Sequence, residues 1–128
     1  MNKVLKVILV VFVFIIIVSG GFLFYLSRGL NSGSQLVINE VDLSQIEDGI
    51  YTGKYDGGRW SNEVEVEIKD NKITKITVID DIMLSQPDVT EKIKEDIIEN
   101  QNVNIDVVTG ATVTSKAYLK AVEKALFK

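Results

Sequence analysis

The segment Asp106-Val107-Val108-Thr109-Gly110-Ala111-Thr112-Val113-Thr114-Ser115 gathers one carboxylate and four hydroxyls around a Gly-Ala step. A threonine hydroxyl is a poor nucleophile at its free pKa and reacts only when a partner supplies a base. It also bonds phosphate, and it caps helices. Gly110 permits unusual backbone angles and close approach of a ligand. A helix pattern follows at once, so its unpaired N–H groups and positive dipole end offer a seat for phosphate. The plain alternative is a capped helix after a turn. Asp106 is placed to position a divalent metal or, more simply, to order the loop by bonding its amides.

Composition narrows the chemistry further. The 128 residues contain neither cysteine nor histidine, which excludes thiol chemistry, haem attachment, iron–sulfur clusters and the usual zinc sites. Any redox role needs an organic cofactor. From Gly29 onward there are 11 basic and 18 acidic residues. That balance excludes nucleic acid as partner, because backbone binding needs a basic stripe.

The elements that must position the segment follow from periodicity. Val7 to Leu26 is a run of twenty uncharged residues, and a helix of about 20 apolar residues crosses a bilayer core. Lys3 and Lys6 precede it, so the positive-inside rule places the N-terminus in the cytoplasm and the folded part outside. The run exceeds the apolar core of about 7–15 residues usual in a cleavable signal peptide. With no cysteine there is no lipoprotein route. Ser27–Gln35 reads as a polar tether, and Leu36–Ile46 as either a short strand or a loose helix.

From Gly49 the pattern is β. Ile50–Tyr55 is a strand and Asp56-Gly57-Gly58 a turn. Glu63–Lys69 alternates, with Val64, Val66 and Ile68 inward and Glu63, Glu65 and Glu67 outward. Asp70-Asn71 turns the chain into a partner strand, Lys72–Ile79, with Thr74, Ile76 and Val78 on one face. A helix capped by Asp88 or Thr90 runs to Asn100, with Ile93, Ile97 and Ile98 at helical spacing. Val103–Val108 reads as a short strand. The last helix, capped by Thr114 or Ser115, buries Leu119, Val122 and Leu126. Ala117, Ala121 and Ala125 let a sheet approach it closely. Lys116, Lys120, Lys124 and Lys128 form a stripe that is either solvated or a dock for an acidic redox partner. The fold class is α+β: a small antiparallel sheet with two helices, behind one transmembrane helix. The expected organisation is an anchor over 1–28, a flexible linker and lead-in over 29–47, and a domain over 48–128.

Asp-x-x-Thr-Gly-Ala-Thr-x-Thr-Ser resembles the signature of FMN-binding domains. These occur in the sodium-translocating NADH:quinone reductase, in the related ferredoxin-linked complex, and in small secreted flavoproteins of Gram-positive bacteria. Asp48-Gly49-Ile50-Tyr51-Thr52-Gly53 and the strands after it are similar to that domain's start. The resemblance implies that a flavin transferase attaches FMN from FAD to Thr112 as a phosphoester. Asp106, Thr109, Gly110 and Ala111 match the rest of the motif, and Thr114 and Ser115 its continuation. Trp60, Tyr51, Tyr55 and Tyr118 are the rings available to stack on a flavin, each also readable as an ordinary core or surface aromatic. Trp60 and Tyr118 lead because they lie near glycines or the motif helix.

The family's large transporter proteins carry insertions that this chain lacks, so the stand-alone branch is the better match. The expectation is an extracytoplasmic electron carrier reduced by a membrane or surface redox partner, without a substrate pocket of its own. A reductase holding FMN non-covalently and a non-redox interaction module on a membrane anchor are the alternatives.

Overall fold

The computed structural model describes residues 2–108 and 110–127. Helix α1 (Lys3–Ser27) has no buried residue. Its 25 residues extend about 37 Å at 1.5 Å per residue, and it is long and apolar enough to cross a membrane. A short helix α2 (Leu30–Ser34) follows, then an extended segment with one 3-10 turn at Leu43–Gln45.

Three strands form an antiparallel meander in the order β1-β2-β3. They are β1 (Gly49–Tyr55), β2 (Asn62–Lys69) and β3 (Lys72–Asp80). A 3-10 turn at Gly58–Trp60 links the first two. In β2 the alternation gives Val64, Val66 and Ile68 a buried face. Asp70 and Asn71 both adopt positive φ, 53° and 61°, as a tight two-residue hairpin requires.

The inward face of β3 differs from the sequence expectation. Glu67 pairs with Lys75 but Ile68 pairs with Ile73, so Thr74 is an extra residue in a bulge. Ile73 and Ile76 are therefore buried, while Thr74 is exposed. Strict alternation fails because a bulge shifts the phase by one residue.

Helix α3 (Pro87–Asn100) begins one residue before Asp88, with Gln86 at the cap position and no side-chain cap. Proline suits the first helical position because its missing N–H has no partner there anyway. Neither Asp88 nor Thr90 caps it. Val103–Val108 is not a strand. Side chains take three of its amides: Asn102 Oδ1 accepts from those of Val103 and Asn104, and Ser115 Oγ from that of Val108.

Helix α4 (Thr112–Leu126) starts before Thr114 and Ser115, so neither caps it. Leu119, Val122 and Leu126 are buried as expected, and so are Ala117, Ala121 and Ala125. The small stripe receives β1. A Cβ on Gly53 would lie 2.0 Å from the Ala121 carbonyl oxygen and 2.4 Å from the Ala125 amide nitrogen. Only glycine permits that approach.

The stretch between α1 and β1 lies along α4. Lys116 donates to the Ser34 carbonyl and Lys120 to that of Val37. Buried Glu123 accepts from the backbone and side chain of Asn39, and pairs with Lys120 at 3.0 Å. Asn102 bonds both the amide and the carbonyl of Val41, acting as a side-chain strand partner. Two members of the lysine stripe therefore hold chain. Lys124 lies 5.9 Å from the Tyr55 ring centroid, and Lys128 falls outside the described residues.

Candidate functional site

The turn before α4 is closed by the Ala111 amide donating to the Val108 carbonyl at 3.0 Å. Gly110 within it has φ +81°, and a Cβ there would meet nothing within 4 Å. The turn is left-handed at this point and open on its outer side. Thr109 lies outside the described residues.

Each hydroxyl has a different situation. Ser115 is fully buried. Its Oγ donates to the Ala111 carbonyl at 2.6 Å and accepts from the Val108 amide at 3.2 Å. It fastens both arms of the turn to the helix and is inaccessible to a ligand. Thr114 is half-buried; Thr112 is exposed at the first residue of α4. Ala111 at the cap position provides no side-chain cap. The first amides of a helix have no partner within it, so this start keeps donors and positive dipole for an incoming group.

Beside Thr112 is an open hollow of about 330 Å³, lined by Leu30, Arg59 and Trp60 on one side and residues 110–114 on the other. Other surface hollows are larger, including one of about 520 Å³ where the end of α1 meets Gly57 and Gly58. Volume alone does not select the site; the exposed hydroxyl and the open glycine do. Asp106 is exposed and borders a separate hollow with Lys92, Asp96 and Asn104. The structure does not bring it into the Thr112 hollow.

The two leading aromatic candidates are placed differently. Trp60 reaches the hollow, but it is 3% exposed, and the Arg59 guanidinium lies 3.9 Å from its ring centroid. Tyr118 lies inside the α3–α4 interface, away from the hollow. Its hydroxyl donates to the Asp81 carboxylate and accepts from Thr90 Oγ1 at 3.1 Å. Burial, with the Asp81 contact adding to it, pushes its pKa above the ordinary tyrosine value. Arg59 was missed by reading the sequence. Its position between two glycines and a tryptophan was the available signal.

Fold and site together define a small α+β domain with a hydroxyl at an uncapped helix start, open to a phosphorylated ligand. The chain belongs to the FMN-binding domain family, whose model matches residues 58–127, and FMN is its cofactor. An uncharacterized protein of Treponema pallidum (strain Nichols) is similar at 32% identity over 87 residues, covering 65% of this chain and 24% of that protein. The chain thus spans about a quarter of that relative's length. The residues at the turn suit the phosphate of FMN. The open face of Gly110, the helix start and one guanidinium meet a phosphate without obstruction.

Proposed function

We propose that this chain is a membrane-anchored, extracytoplasmic electron carrier whose FMN is held as a phosphoester on Thr112. The observation that carries the reading is the exposure of Thr112 at an uncapped helix start, beside a turn whose glycine leaves open space. Of the described hydroxyls in the motif, Ser115 is engaged and buried and Thr114 is half-buried.

In the attachment step the Thr112 hydroxyl bonds to the FMN-side phosphorus of FAD. The pyrophosphate bond breaks, AMP leaves, and the hydroxyl proton passes to a base of the flavin transferase. Bound FMN supplies one- and two-electron transfer. The chain's own residues hold and orient it, while Ser115 keeps the turn in register. The organisation that accompanies this reading is an anchor over 1–28, a lead-in over 29–47 and the FMN-binding domain over 48–128. A membrane or surface redox partner delivers the electrons.

Intact mass and peptide mapping of the exported protein test the reading. The flavin adduct is expected on the peptide holding Thr112, with fluorescence that survives a denaturing gel, and Thr112→Ala is expected to abolish both. An adduct on Thr114 or Ser115 would overturn the site. Flavin released by denaturant would favour a non-covalent reductase. A colourless protein after co-expression with a flavin transferase would favour a non-redox module.

A further inference from the structure

We propose that Arg59 is the cation that holds the flavin phosphate at Thr112, an inference resting on Thr112 as the attachment point. Arg59 faces residues 110–114 across one hollow, and among the described residues lining it Arg59 alone is ionisable. No described carboxylate lines that hollow, although the chain from Gly29 onward carries 18 acidic residues against 11 basic ones. The overall field of such a domain opposes an anion. A phosphodiester brings negative charge to this place, and helix amides alone are neutral donors.

Arg59 is also held ready. Its guanidinium lies over the Trp60 ring, and its Nε donates to the Leu26 carbonyl at 3.1 Å. Trp60 is fixed in turn, because Asn62 Nδ2 donates to both the Trp60 and the Ala117 carbonyls at 3.2 Å. The 3-10 turn bearing Arg59 is thereby bolted to α4, the helix that begins with Thr112. Among the described residues Arg59 makes no ion pair. With Nε engaged, the two terminal nitrogens remain, and their planar fork matches a pair of phosphate oxygens. Lysine would supply charge without that fork.

The test uses the full chain in detergent, loaded from FAD by purified flavin transferase, with Arg59→Gln and Arg59→Lys beside the wild type. The rate of FMN transfer is followed, and the 31P resonance of the phosphodiester is recorded after loading to completion. Arg59→Gln is expected to slow transfer about tenfold, the equivalent of one charge-assisted hydrogen bond, and to shift the resonance. Arg59→Lys is expected to recover most of the rate. An unchanged rate with an unshifted resonance in Arg59→Gln overturns the assignment to Arg59 alone. Equal loss in both variants with the resonance unshifted in each also overturns it, since neither the charge nor the fork of Arg59 would then be felt at the phosphate. If the flavin-bearing wild type shows no phosphodiester resonance, the Thr112 reading itself fails.

Discussion

The two ends of helix α4 are built to opposite requirements. Toward its C-terminus Ala121 and Ala125 press so closely on β1 that a single added carbon at Gly53 would collide with helix backbone. At its N-terminus an added carbon at Gly110 would touch nothing, and no side chain caps the first turn. One rigid element serves both. Tight packing of the distal half fixes where the helix points, so the proximal end can remain open without wandering. Leu119, Val122 and Leu126 supply that fixation, each burial stabilising by about 1.5–3 kcal/mol.

Substitution at the crowded end gives the largest expected effect. Gly53→Ala should destabilise the domain by about 3 kcal/mol through overpacking against backbone that cannot yield, read as a lowered urea midpoint. A variant as stable as wild type would mean that β1 and α4 are not so close. The next effect tests the interface between α3 and α4. Tyr118→Phe removes the hydroxyl's bonds to Asp81 and Thr90 and should cost about 1.5 kcal/mol at neutral pH.

That interface also has a pH signature. The folded-state pKa of Tyr118 is raised above its unfolded value, which is about 10. Its stabilisation is therefore complete below pH about 10 and is lost as pH climbs toward the folded value. Tyr55, raised by burial, adds a loss of the same sign. Alkaline denaturation should be shallower in Tyr118→Phe than in wild type, and equal slopes would remove Tyr118 as a contributor.

At the open end the effects on stability shrink. Gly110→Ala meets no atom but must hold φ +81°, a cost of about 1 kcal/mol. Thr112→Ala should change the unfolding free energy by less than about 0.5 kcal/mol while eliminating the covalent flavin under the proposal above. A large stability loss there would show that the open end carries structural load and would erase the contrast.

How far the sequence revealed this arrangement depended on the range of the interactions. The hairpin at Asp70-Asn71, the buried face of β2 and the apolar face of α4 are local patterns and were legible. The bulge at Thr74 was not, because its evidence lies in the register of another strand. Ser115 read as a cap and is instead a buried tie between Val108 and Ala111. That assignment depends on where the helix starts, which a string of four hydroxyls does not mark. Val103–Val108 has strand composition, but Asn102 and Ser115 take the amides of Val103, Asn104 and Val108 in place of a strand. Of the motif, Gly110, Ala111, Thr112 and Thr114 line one hollow while Asp106 borders another, a separation that spacing along the chain does not reveal, and Arg59 joins the Thr112 hollow only through the fold.

The segment between α1 and β1 has one more consequence. Nine residues behaving as a free coil, such as 27–35, would let a domain roam roughly 17 Å from its point of attachment. Here Lys116, Lys120, Glu123 and Asn102 take up the chain immediately beyond, and Arg59 grips the last turn of α1. The hollow beside Thr112 is consequently kept close to the end of α1, with Leu30 and Arg59 on its wall. Under the function proposed above, a partner sharing the bilayer would meet it through lateral diffusion in two dimensions, at an effective concentration set by membrane area instead of tether length.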